Sequence, residues 1–125
     1  MEIQSVSAGD RPFINSYSAG GFTISGRSIN GGVLVLPDTA EAWSVSNIDD
    51  LTVEHLNGVA GRATGIEVLL IGCGPKMLLL PRELRDSFRA FNFSVDVMET
   101  GAACRTFNVL ISESRRVAAA MVPIG

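Results

Sequence analysis

The stretch Glu67-Val68-Leu69-Leu70-Ile71-Gly72-Cys73-Gly74 decides the fold. The apolar run within Glu67 to Ile71 is too short for a buried helix and is bounded by glycine, so it reads as a strand covered on both faces. A strand of that kind needs neighbours in a sheet and helices above and below it. The flanking sequence supplies both.

Towards the carboxyl terminus, Pro81 opens a helix that places Leu84, Phe88 and Phe91 on one face and Arg82, Arg85 and Arg89 on the other. Phe93 to Met98 follows as a strand. Gly101 to Ser114 reads as a helix capped by Thr100, and Val117 to Ile124 as a nearly all-apolar strand. The small side chains of Ala118, Ala119 and Ala120 suit a central strand that helices approach closely. Towards the amino terminus, Thr52 is placed to cap a helix with Glu54 in its first turn, closed by Gly58 and Gly61. Before that, Ala42 to Val45 reads as a short strand carrying Trp43. Asn30-Gly31 favours a type I′ turn and predicts a hairpin with Phe22 to Ile29 and Val33 to Leu36 as its arms. The expectation is an α/β fold, a single three-layer domain over residues 1–125. Its central mixed sheet has about five strands flanked by helices, with an N-terminal β-hairpin.

Composition narrows the function classes. The chain has 125 residues, 46% hydrophobic and 18% charged, which supports a packed core without disulfide or metal staples. Its formal net charge of −3 repels phosphate backbones and gives no attraction to anionic membrane surfaces, so no nucleic-acid partner is expected. The apolar stretch Val68 to Leu80 is broken by Gly72, Gly74, Pro75 and Lys76, which excludes membrane insertion. Met1-Glu2-Ile3-Gln4-Ser5 carries an acid where a signal peptide has bases, and a cytoplasmic location is expected.

Catalytic chemistry is hard to assemble from these residues. His55 is the sole histidine and reads as a surface residue of the first helix. Cys73 and Cys104 lack metal or redox spacing and read as two reduced, partly buried thiols; a redox role would need their Cα atoms within about 7 Å. Asp49 and Asp50 precede a helix, and Glu83 and Asp86 sit among arginines, where charge balance accounts for them. No catalytic residue, metal site or cofactor is expected.

Ligands of open α/β sheets sit beyond the carboxyl ends of the strands, and two segments point there. Gly72-Cys73-Gly74-Pro75-Lys76 lets backbone approach something bound, although Met77 stands where a dinucleotide turn has its third glycine. The helix start at Thr100, with Cys104 and Arg105 in its first turns, could hold a small anion. Gly72, Cys73, Gly74, Thr100, Cys104 and Arg105 are therefore the candidate ligand-binding residues. Arg82, Arg85 and Arg89 are the candidate partner-binding stripe.

Several of these segments together resemble a known family. They are Ile48 to Leu56, Glu67 to Gly74, the Pro81 to Arg89 helix, Val95 to Asn108 and Arg115 to Pro123, with Thr100 to Asn108 the most specific. The chain from about Phe13 resembles the domain-of-unknown-function family whose mitochondrial members include NADH:ubiquinone oxidoreductase (complex I) assembly factor 3. The resemblance implies a three-layer α/β fold and a non-catalytic helper in assembling a respiratory complex. Respiratory-complex subunits or assembly factors are then the expected partners. It brings no catalytic residues with it. No mitochondrial targeting extension is expected, and a bacterial or cytoplasmic member is the expectation. The alternative is a small-anion-binding domain or an enzyme using the crevice at the strand ends. An exposed edge of the N-terminal hairpin would give a second copy a place to dimerise, though no residue pattern demands it.

Overall fold

The computed structural model describes residues 11–125, and the reading of the first five residues lies outside them. Strand β1 (Ile14–Tyr17), β2 (Gly21–Ile24) and β3 (Arg27–Asn30) form a small antiparallel sheet. A second sheet collects β4 (Val33–Val35), β5 (Ala40–Ala42), β6 (Val68–Gly72), β7 (Ser94–Met98) and β8 (Val117–Met121) in the order β5-β4-β8-β6-β7. The β6 strand pairs in parallel with β7 and β8, while β4 runs antiparallel to β5 and β8, so the sheet is mixed.

Alternation along the strands builds the three layers. Val68 and Leu70 of β6, Val33 and Val35 of β4, and Val117, Ala119 and Met121 of β8 face one core. That core is shared with helix α3 (Thr100–Ser112), through Ala103, Cys104, Phe107 and Ile111, and with Ile14, Phe22 and Ile24 of the small sheet. Leu69 and Ile71, Leu34, Ala118 and Ala120 face the other core, under α1 (Val53–Arg62) and α2 (Arg82–Ser87). Residues that alternate in sequence thus serve two cores. The alanine strand β8 is buried throughout and sits centrally, as its small side chains suggest.

Asn108 ties the small sheet to α3. It is buried, its Oδ1 accepts from the Ile14 N–H at 3.0 Å, and its Nδ2 donates to the Ile14 carbonyl at 2.8 Å. An amide can supply both bonds at once, which satisfies the backbone of a strand that would otherwise lose it in the interior.

Four sequence expectations are corrected. The hairpin turns at Ser25-Gly26, whose φ values of 49° and 80° match a type I′ loop between β2 and β3. Asn30-Gly31 instead ends the small sheet, and β4 leaves for the large one. The Trp43 strand lies earlier, at Ala40–Ala42. Helix α1 runs through Gly58 and Gly61 to Arg62. The arginine helix is short, so Arg89 falls in the separate 3-10 turn Phe88–Ala90.

Candidate functional site

The carboxyl end of β6 is where the sequence places a crevice, and the chain fills much of it from within. Past Gly72 the Cys73 N–H donates to the Met98 carbonyl at 2.9 Å. Gly74 has φ +109°, a conformation that favours glycine, and its N–H donates to the Thr100 Oγ1 at 2.9 Å. Thr100 is fully buried; its hydroxyl donates onward to the Val122 carbonyl at 2.7 Å, and its own N–H donates to the Gly74 carbonyl at 2.8 Å. A Cβ on Gly72 would lie 2.8 Å from the Met121 Cγ and 3.0 Å from the Thr100 Oγ1. What approaches Gly72 closely is the chain's own core.

Thr100 is therefore not the cap of α3; it stands at the first helical position. Glu99 caps the helix, its Oε1 accepting from the Ala102 N–H at 2.7 Å. A carboxylate of the protein occupies the place where the helix dipole would hold an anion. Arg105 joins that carboxylate: Nη2 lies 3.4 Å from the Glu99 Oε1 and Nη1 donates to the Tyr17 hydroxyl at 3.4 Å. The structure brings Gly72, Gly74 and Thr100 together and turns Arg105 towards Glu99 and Tyr17.

The two thiols are buried and free, with different partners. The Cys104 Sγ sits 3.7 Å from the Met121 Sδ in the core, and burial pushes its pKa up to about 12. Burial outweighs the pull of Arg105, so the helix start does not activate this thiol. The Cys73 Sγ donates to the Lys76 carbonyl at 3.3 Å and fixes the turn that follows β6. His55 has a structural task that spacing alone did not suggest. Its Nδ1 accepts from the Thr52 N–H at 3.1 Å while its own N–H donates to the Thr52 hydroxyl, a reciprocal cap on α1.

The turn held by Cys73 leads into a surface feature that the sequence reading missed. Met77, Leu78 and Leu79 are 58%, 36% and 78% exposed, three large apolar residues in a row. Leu80 is buried, and its carbonyl accepts from the Arg85 Nε at 2.9 Å, so the run is anchored at both ends and displayed between them. The signal was present in the apolar count; amphipathic period was what the run lacked. Consecutive exposed apolar residues are costly unless something covers them. Arg82 lies beside this loop in a loose pair with Asp86 at 3.8 Å, and Arg89 is exposed on the 3-10 turn. Among the described residues no helix is long and apolar enough to cross a membrane.

Comparison with known proteins places these features in context. The family model described as protein of unknown function (DUF498/DUF598) matches residues 14–122. NADH dehydrogenase [ubiquinone] 1 alpha subcomplex assembly factor 3 of Xenopus tropicalis is 35% identical over 111 residues, covering 89% of this chain and 61% of the relative. The chain thus spans about three-fifths of that relative's length. An uncharacterized protein of Rhodobacter capsulatus is 37% identical over 111 residues, covering 89% of this chain and 84% of its own length. A crystal structure of a Bordetella parapertussis protein superposes with a TM-score of 0.82 at 31% identity, covering 94% of this chain and 99% of that one.

Proposed function

The chain belongs to the DUF498/DUF598 family, and from that premise we propose that it is a non-enzymatic interaction protein that helps assemble a respiratory complex of the NADH dehydrogenase type. The observation that carries the reading is the exposed run Met77-Leu78-Leu79. Burying a fully exposed side chain of this size is worth about 1.5–3 kcal/mol, and these three, still part-exposed, have a share of that left to gain, so together they form the centre of a docking surface. The occupant we assign is a subunit of the complex that presents an apolar groove with an acidic rim. Charge supports that choice: residues 76–89 carry Lys76, Arg82, Arg85 and Arg89 against Glu83 and Asp86, a basic patch on a chain whose formal net charge is −3. A named assembly factor among the relatives supports the kind of partner.

The test is recovery of NADH dehydrogenase subunits with the tagged protein from its own cells, read by mass spectrometry. The wild type should retain them, and a Met77→Ser, Leu79→Ser double variant should lose at least about tenfold, since two apolar anchors are removed. Recovery of those subunits at equal levels with both proteins would overturn the surface assignment. Recovery of no such subunit would overturn the assembly reading, and light scattering would then show whether the loop pairs two copies of the chain.

A further inference from the structure

A cleft of about 560 Å³ opens at the end of the sheet where β6 and β8 begin. Three arginines far apart in sequence line it: Arg11 ahead of β1, Arg62 at the end of α1 and Arg116 just before β8. Thr39 and Thr64 add hydroxyls, and Asp38 is the one carboxylate of the lining.

Each guanidinium is held by an anchor that leaves other N–H groups of its fork directed elsewhere. The Arg11 Nη1 donates to the Arg115 carbonyl at 2.9 Å, the Arg116 Nε donates to the Gly65 carbonyl at 2.6 Å, and Arg62 pairs with Glu41. Gly65, at φ +75°, makes room for Arg116, since a Cβ there would lie 3.1 Å from the Arg116 Nη2. The turn carrying Arg115 and Arg116 is itself fixed by Glu67, whose Oε2 accepts from the Arg116 N–H and whose Oε1 pairs with Arg115, both at 3.1 Å. The cations are thus arranged before any ligand arrives, which lowers the cost of binding one.

We propose that this cleft binds the phosphoryl group of a phosphate monoester between Arg11, Arg62 and Arg116. Three cations against Asp38 and the Glu41 carboxylate that pairs with Arg62 leave one net positive charge, of the sign needed to draw in the roughly −1.5 to −2 of a phosphate monoester at neutral pH. Planar guanidinium forks suit phosphate oxygens in a way that lysine ammoniums do not. The volume is far more than a phosphate fills and lies within the roughly 300–1,000 Å³ of small-molecule sites, so the wall at Leu36 and Pro37 is left for the rest of the ester. None of these residues belongs to the 76–89 patch, and the site stands or falls independently of the assembly reading.

The experiment is an amide NMR titration of the full chain at constant ionic strength. Glycerol 3-phosphate is one arm and vesicles containing phosphatidic acid the other. Saturable shifts centred on Arg11, Thr39, Thr64 and Arg116 are expected; the first arm responding identifies a soluble ester, the second alone a lipid headgroup. Arg62→Gln and Arg116→Gln should each weaken binding about tenfold, the loss of one charge-assisted contact. Asp38→Asn should tighten it. No saturable shift in either arm would overturn the site, as would saturable shifts whose affinity Arg62→Gln and Arg116→Gln both leave unchanged, the mark of an adventitious ion only.

Discussion

Where β6 ends, the N–H groups of Cys73, Gly74, Thr100 and Ala102 and the Thr100 hydroxyl are engaged within the chain. Where β6 and β8 begin, three guanidiniums border open space. The rule that ligands sit beyond strand carboxyl ends depends on unspent donors at that end. Here those donors are taken up by Met98, Thr100 and Glu99, and the larger polar concavity, about 560 Å³ against about 120 Å³, lies on the opposite side. A fold rule says where a site can be; hydrogen-bond accounting says whether it is still vacant.

The largest effects should come from breaking the closed end. Thr100→Val leaves the Gly74 N–H and the Val122 carbonyl buried and unpaired, and should cost about 2–4 kcal/mol in urea unfolding. A loss below about 1 kcal/mol would mean that water reaches this region and that the crevice is open after all. Gly72→Ala comes next, at about 1–3 kcal/mol, because its Cβ meets Met121 and Thr100. Unchanged stability there would likewise reopen the crevice.

Titration sharpens the same contrast. The Cys104 pKa is raised from 9.0 to about 12, so the folded state keeps a proton that the unfolded chain releases. Its contribution is fully present below about pH 9 and is lost as pH rises towards 12. Melting curves should show that alkaline loss, and Cys104→Ala should reduce its slope; an iodoacetamide reaction at neutral pH in the folded state would contradict the burial. At the open end the expected effect is smallest. Arg62→Gln should leave the urea midpoint where it was, since exposed ion pairs contribute little, and any marked fall would recast the cleft as structural.

The part of the fold from Thr52 onward was legible because its strands and helices carry clear periods. The apolar run of β6, the alanines of β8 and the Thr52 cap each specify one local structure. The first third was legible in kind and misplaced in position. Two dipeptides there suit a type I′ turn, and Asn30-Gly31 is the stronger signal, yet Ser25-Gly26 makes the hairpin. Tertiary demand decided between them: β4 pairs with β8, some 86 positions on, and cannot also fold back on β3. The candidate ligand residues Gly72, Gly74 and Thr100 do meet in space, but the sequence could not say that they meet to satisfy one another. Arg11, Arg62 and Arg116 lie too far apart for any spacing rule to join them.

The central place of β8 also has a consequence for how the protein is made. The β4–β5 pair and the β6–β7 pair meet only through it, so the large sheet has no common member until residues 117–121 are available. A ribosome releases that segment after every other strand. The domain must therefore wait, with two half-sheets exposing the edges that β8 will fill, and the interval between their synthesis and its arrival is when a chaperone would find most to hold.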